Sequence, residues 1–472
     1  MREPPRFPLE TLIPLLSGLL WLLAGAGAGF FGFMFSVIPG SLLLAGGVTT
    51  VLLHGDERSP QLTAIGGVFG VVFALPALFA LGFWTTLLLL PLSAASFIAA
   101  GWTSRRYAPQ HIDVPDPLTT PVLALKVAAD EVNLATMLIA RSSPLLRDPD
   151  QLNGEVQEVR AFFEQNGFLE KPADYHLLPP PLEHPRLLLT RVRDVRYEEL
   201  RFASDYSPRP GEPGRERWLN YQSNRTAYAW VMRHEDGPRP WLMCIHGFGM
   251  GVPYIDLRAF RADVLHHQLG LNLLLPVLPL HGPRKAGRRS GDQFLGGAFL
   301  NTIHAEAQAM WDLRRLLAWI RSQQATAVGV YGLSLGGYTA ALLASLDPDL
   351  ACVIAGIPAT DLTALTQRLE SPFKLEQLEQ AEFSWERVHE VLRVVSPLAV
   401  SPKVPQERRY IFGGAVDRLV PPNQVWALWN HWQRPRIAWY AGSHVSIHWE
   451  PEVRALVREA LEATLLPGGG TG

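Results

Sequence analysis

The apolar and polar positions split the chain into a front and a body. Residues 12–53 run for 42 positions without a charged side chain, and residues 61–102 repeat that length. At about 1.5 Å per helical residue each run reaches ~63 Å, roughly twice the ~30 Å hydrocarbon core of a bilayer, so each predicts two crossings. Pro39-Gly40 and Gly82 punctuate the two runs. The expected helices are therefore 11–35, 37–54, 61–81 and 83–102, an all-α transmembrane region over residues 1–102. Both runs are too long for a cleaved signal peptide. The small residues Ala24 to Gly29 suit close helix packing. The expected crossings carry no Asp, Glu, Lys or Arg side chain, which argues against an ion or proton path through them.

Residues 103–189 read as a connecting region, with amphipathic helical patterns at 121–141 and 151–166. It closes on Leu178-Pro179-Pro180-Pro181-Leu182 and Pro185, a stiff extended linker. From 190 to 466 short β-type runs alternate with helical ones. The expected strands are Glu198–Ala203, Ala227–Met232, Leu242–Ile245, Leu271–Leu275, Ala327–Tyr331, Ala351–Ala355, Arg408–Phe412 and Arg436–Tyr440. Helical patterns fall at 302–322, 336–346, 422–433 and 450–465. This order predicts an α/β domain with a mostly parallel eight-stranded sheet, followed by a flexible tail at 467–472.

Composition sharpens the division. Charged residues make up 18% of the chain, against a usual ~25%. Residues 11–102 hold only three of them, the adjacent Asp56, Glu57 and Arg58. A net charge of −2 leaves no basic footprint for nucleic acid. Cys244 and Cys352 lie in apolar runs without metal or redox spacing, and read as buried free thiols of a reducing compartment. Arg2 and Arg6 precede the first helix and Arg105 and Arg106 follow the last, against Arg58 alone in the central loop. Four crossings put both ends on one side, and the Lys/Arg bias makes that side, and the body with it, cytoplasmic.

The chemistry sits in the body. Gly332-Leu333-Ser334-Leu335-Gly336-Gly337 follows an apolar strand and opens a helix. A serine on such a tight turn needs glycines two residues before and after it, where a Cβ would collide. With this elbow the core resembles the α/β-hydrolase superfamily of serine hydrolases over about 270 residues. The resemblance implies an acid and then a histidine further along the chain. Asp417, in the loop Gly413-Gly414-Ala415-Val416-Asp417, matches the acid, with Asp361 as the alternative. His444, after Ala441-Gly442-Ser443, matches the base, with His448 as the alternative. His246-Gly247-Phe248-Gly249 resembles the family's oxyanion loop. Phe248 N–H, or Gly249 next to it, and Leu335 N–H are the expected donors, while His246 reads as structural. The scheme is attack by Ser334 with His444 as base and Asp417 orienting it, through an acyl-enzyme, and it needs no metal or organic cofactor.

Two further features bear on substrate. Arg284, Lys285, Arg288 and Arg289 crowd one loop and suit an anionic group such as a lipid phosphate, or equally a solvated loop or bilayer headgroups. Residues 358–406 read as a cap insertion, helical at 374–394. Its Phe373, Leu375, Leu378, Phe383, Trp385 and Val391 suit an acyl-chain wall or plain helix packing. The expected function is a membrane-anchored serine hydrolase cleaving a carboxylic ester, a lipid-like one by its proximity to the bilayer. Two alternatives stand beside it. One is a peptidase similar to the prolyl oligopeptidase branch, against which the lack of propeller repeats counts. The other is a non-catalytic module on the same fold.

Overall fold

Backbone in hydrocarbon must satisfy its own hydrogen bonds, which leaves the apolar front little choice but helix. The computed structural model describes residues 9–109, 111, 113–140, 148–295 and 298–466. Arg2, Arg6 and the tail 467–472 lie outside the described residues. Among the described residues four helical stretches are long and apolar enough to span a membrane: Leu9–Ala26, which is a short 3-10 turn leading into α1 (Leu12–Ala26), then α2 (Gly29–Leu52), α3 (Ser59–Leu81) and α4 (Phe83–Tyr107). The first turn falls at Gly27 and Ala28, not at Pro39-Gly40. Gly29 takes the left-handed conformation there (φ +68°), while Pro39 sits inside α2. A proline removes one donor from a helix, whereas a full break would leave several backbone groups unpaired, so the helix continues through it.

Close approach at small residues packs these helices. A Cβ added to Gly18 would fall 2.5 Å from Leu44 N, and one on Gly25 2.5 Å from Ser36 Cβ. Trp21 Nε1 of α1 donates to Ser93 Oγ of α4 at 2.9 Å, both buried. Arg105 and Arg106 lie in the last turn of α4 rather than beyond it. Arg106 pairs with Glu10 at 2.9 Å, so the two ends of the helical region meet. The Asp56-Glu57-Arg58 loop between α2 and α3 belongs to that same end. Arg58 thus adds to the terminal arginines instead of opposing them, and the turns at Gly27-Ala28 and Gly82 carry no charge.

Two more helices follow, α5 (Pro121–Ala140) and α6 (Pro149–Gln165). The strands are β1 (Arg186–Val192), β2 (Val195–Ala203), β3 (Thr226–Met232), β4 (Trp241–Ile245), β5 (Asn272–Pro276), β6 (Val328–Leu333), β7 (Cys352–Gly356), β8 (Arg409–Gly414) and β9 (Arg436–Tyr440). They form one sheet in the order β1-β2-β3-β5-β4-β6-β7-β8-β9. The sheet has nine strands, not eight. The added β1 lies partly in the expected linker and pairs antiparallel with β2 from Arg186↔Arg201 to Val192↔Val195. β3 is antiparallel to both neighbours, and the pairs from β5 through β8 are parallel. β4 to β8 are buried throughout, which is why they read as unbroken apolar runs.

The chain forms two compact units. One comprises Met1–Arg141, Gly414–Pro422 and Trp439–Glu450, and the other Ser142–Gly413, Asn423–Ala438 and Pro451–Gly472. The helical front thus shares a unit with the loops that follow β8 and β9.

Candidate active site

In the second unit, β6 ends at Leu333 and a helix runs over Leu335–Leu343. Ser334 joins them at φ +56°, ψ −114°, a conformation few residues with a side chain adopt. Such strain costs about 1–3 kcal/mol and persists where the surroundings enforce it. Here Ser334 N–H donates to Gly356 O at 2.9 Å, and Ser334 O accepts from Tyr338 N at 3.0 Å. A Cβ on Gly332 would fall 2.0 Å from Gly336 O, and one on Gly336 1.9 Å from Ile245 O. Both glycines are therefore compulsory, and the serine is left partly exposed at the crest of the turn.

The expected oxyanion loop follows β4 beside this elbow. Gly247 lies so close that a Cβ on it would be 3.5 Å from Ser334 Cβ. His246 is buried and pins the loop: its Nδ1 bonds Gly247 O at 2.8 Å and its Nε2 accepts Leu278 N–H at 3.1 Å. Burial lowers its pKa, with the Asp256 charge opposing. Phe248 packs its ring edge-on against His281, and Gly249 takes φ +80°. Leu335 opens its helix, so its N–H is one of the donors a helix start leaves without an internal acceptor.

The acid and base loops belong to the first unit and run side by side. Ala415 N donates to Tyr440 O at 3.0 Å and Val416 N to Gly442 O at 3.3 Å. Asp417 Oδ1 accepts the N–H groups of Leu419 (2.9 Å) and Val420 (2.8 Å), which leaves Oδ2 for His444 Nδ1 at 2.7 Å. Asp417 is buried. Burial disfavours protonation of His444, but the charge and hydrogen bond of Asp417, aided by Asp130, prevail and raise its pKa above the ordinary histidine value. The alternatives are placed elsewhere. Asp361 caps the helix Leu362–Leu369 by accepting Ala364 N–H at 2.9 Å, and His448 is exposed.

The basic loop is divided. Lys285, Arg288 and Arg289 are exposed, but Arg284 is turned inward. It pairs with Asp312 at 2.8 Å and donates to Val277 O at 2.9 Å, so it is a structural arginine and not part of an exposed anion site. In the 358–406 segment Phe373 is exposed, while Leu378 and Val391 are buried. Phe383 and Trp385 line a hollow of about 40 Å³ with Leu152, Phe299, Leu362 and Val388. Phe383 and Trp385 meet edge to face, with ring centroids 5.2 Å apart. Among the described residues no group of three or more His, Cys, Asp or Glu side chains is arranged for a metal ion.

Sequence reasoning missed Asp130 and Glu131 on α5, both fully buried. Asp130 Oδ2 accepts the backbone N–H of Arg418 and of His444, each at 2.9 Å, and Oδ1 accepts that of Val445 at 3.2 Å. Glu131 accepts from Arg418 Nε at 2.8 Å and Ser104 Oγ at 2.5 Å. The signal available was two adjacent acids in an otherwise apolar helical stretch, which reads as an ordinary polar face.

The prolyl oligopeptidase family model matches residues 290–454, a span that includes Ser334, Asp417 and His444. Two uncharacterized proteins of Mycobacterium tuberculosis are each 41% identical over 370 residues, covering 78% of this chain and 88% of theirs. Among solved structures, an acetyl xylan esterase from a Paenibacillus species aligns with TM-score 0.44 at 16% identity, over 70% of this chain and 99% of its own. An acylaminoacyl peptidase of Pyrococcus horikoshii aligns with TM-score 0.37 at 16% identity, over 61% and 43%.

Proposed function

Because the chain belongs to the prolyl oligopeptidase family of α/β-hydrolases and is a serine hydrolase, we propose that it cleaves carboxylic esters at a membrane surface through an acyl-enzyme on Ser334. The observation that carries the reading is the 2.7 Å bond between His444 Nδ1 and buried Asp417; a serine on a strained, glycine-cradled turn supplies the candidate nucleophile. That bond keeps the proton on Nδ1 and leaves Nε2 basic. His444 takes the Ser334 proton as Oγ attacks the carbonyl carbon, and the tetrahedral oxyanion receives the N–H groups of Phe248 and Leu335. Collapse expels the alcohol, which takes the proton back from His444, and water then releases the acid by the same route.

In this reading residues 190–466 form the hydrolase domain with 358–406 as its cap, and residues 1–102 anchor it. The charged residues gathered at one end of α1 to α4 support a cytoplasmic body. Anchoring favours lipid-like esters, which a tethered hydrolase meets at high local concentration, and exposed Lys285, Arg288 and Arg289 suit their anionic headgroups. The family match favours a second reading, peptide-bond cleavage. Turnover by the detergent-solubilised full chain distinguishes them. We expect kcat/KM for a long-chain p-nitrophenyl ester in anionic mixed micelles to exceed that for an acyl-dipeptide p-nitroanilide by about tenfold or more. Preference for the anilide would sink the ester reading in favour of the peptidase.

A further inference from the structure

We propose that Asp130, on α5 directly after the helical front, is a positioning residue for the acid and base loops of the hydrolytic site. The proposal rests on the serine hydrolase reading and deepens it. One carboxylate takes three backbone N–H groups: Arg418, which follows the acid, His444 itself, and Val445 after it. Because Arg418 and His444 share Oδ2, any shift of one loop is felt by the other. The side chain is fully buried, so no water stands ready to replace it if it is removed.

The clasp is braced from both sides. Leu123 and Val127, on the preceding turns of α5, pack against Val416 of the acid loop. Lys126 pairs with Glu450 at 2.7 Å and donates to Ala441 O at 3.3 Å, gripping both ends of the base loop. Glu131 holds the Arg418 guanidinium, which also reaches Glu57 at 3.1 Å in the loop between α2 and α3. The acid loop is thus wired to α5 and, beyond it, to two of the preceding helical elements: the α2–α3 loop and, through Ser104, α4. A plain anchor requires none of these contacts.

The carboxylate also acts electrostatically. The acidic groups acting on His444 within its unit are Asp417 and Asp130, with Arg418, Glu131, Lys126 and Glu450 in the surrounding ion pairs. Burial, and then the Asp417 charge, raise the Asp130 pKa, against which the His444 charge and the N–H donors work. Where Asp130 is ionised it favours the imidazolium that forms during catalysis. Removing its charge lowers the His444 pKa, so the acid limb of the rate profile moves to lower pH.

The test uses the full chain in detergent with p-nitrophenyl acetate as substrate. Asp130→Asn should lower kcat by about 10- to 100-fold with KM nearly unchanged, since a small displacement of the base acts on the transition state. Its acid limb should move down by about half a pH unit or more. Asp130→Glu, which keeps the charge, should hold the acid limb near the unmutated position even where its rate falls. An Asn variant that folds and keeps the original rate and profile overturns the proposal. So does one that loses activity with the acid limb unmoved, or that fails to fold, since either assigns Asp130 to stability alone. Failure of the hydrolase reading looks different: the unmutated chain would then take no fluorophosphonate label, and the role in catalysis falls with it.

Discussion

Ser334 shows what single residues contribute here, because its conformation is imposed by neighbours that would tolerate nothing larger than glycine at 332 and 336. The strand-turn-helix of Ser334 and the loops that carry Asp417 and His444 were legible in the sequence since each depends on local pattern: a strand, a short turn, a helix. Arg284 was not. Its charge is visible in the sequence, but the partner that draws it inward, Asp312, lies 28 residues away on the helix Phe299–Ser322. Behind the elbow, the same helix carries Glu306, fully buried and pushed up to about 8 by burial, with only the Thr339 hydrogen bond opposing. The single Thr339 proton lies within reach of Glu306 Oε1 at 3.0 Å and of Leu335 O at 2.9 Å, so the carboxylate gains at most a shared hydrogen bond. A carboxyl whose folded pKa is raised contributes stability that is complete below the unfolded value near 4.5 and is lost as pH rises toward about 8. Thermal unfolding should therefore show stability falling across that window by up to about 1.4 kcal/mol per pH unit from this group. Glu306→Gln should flatten the fall; an unchanged pH profile in that variant would show that Glu306 does not titrate there.

At the scale of elements, the buried parallel strands and the apolar helices were readable because burial leaves a continuous signature. Their exceptions have physical causes. β1 alternates exposed and half-buried positions beside a proline-rich segment, so it lacks a core face to betray it. The α1–α2 turn sits at a glycine with positive φ, while Pro39, the stronger local signal, is carried inside α2 at the cost of one missing donor. α5 reads as an amphipathic helix of a connecting region, because nothing local shows that loops nearly 300 residues later fold onto it. The helix order gives a prediction. With Cys244 and Cys352 buried, a cysteine at Ala28 should react with a membrane-impermeant maleimide on intact cells, and one at Arg58 only after permeabilisation. The reverse pattern would invert the proposed orientation.

At the scale of the whole molecule, the shortage of charge in the first hundred residues marks a helical front whose unit includes the loops of Asp417 and His444, while Ser334 and the His246–Gly249 loop belong to the other unit. The division assigned by composition, an anchor joined to an independent enzyme, is therefore not the division made by the contacts. The central claim is that Ser334 is a nucleophile activated by His444 and Asp417. Fluorophosphonate labelling of the full chain, read by mass spectrometry, tests it most directly. The adduct should fall on Ser334, disappear in Ser334→Ala, and slow by about a thousandfold or more in His444→Ala. A folded protein that takes no label, or labels equally after Ser334→Ala, would contradict the claim.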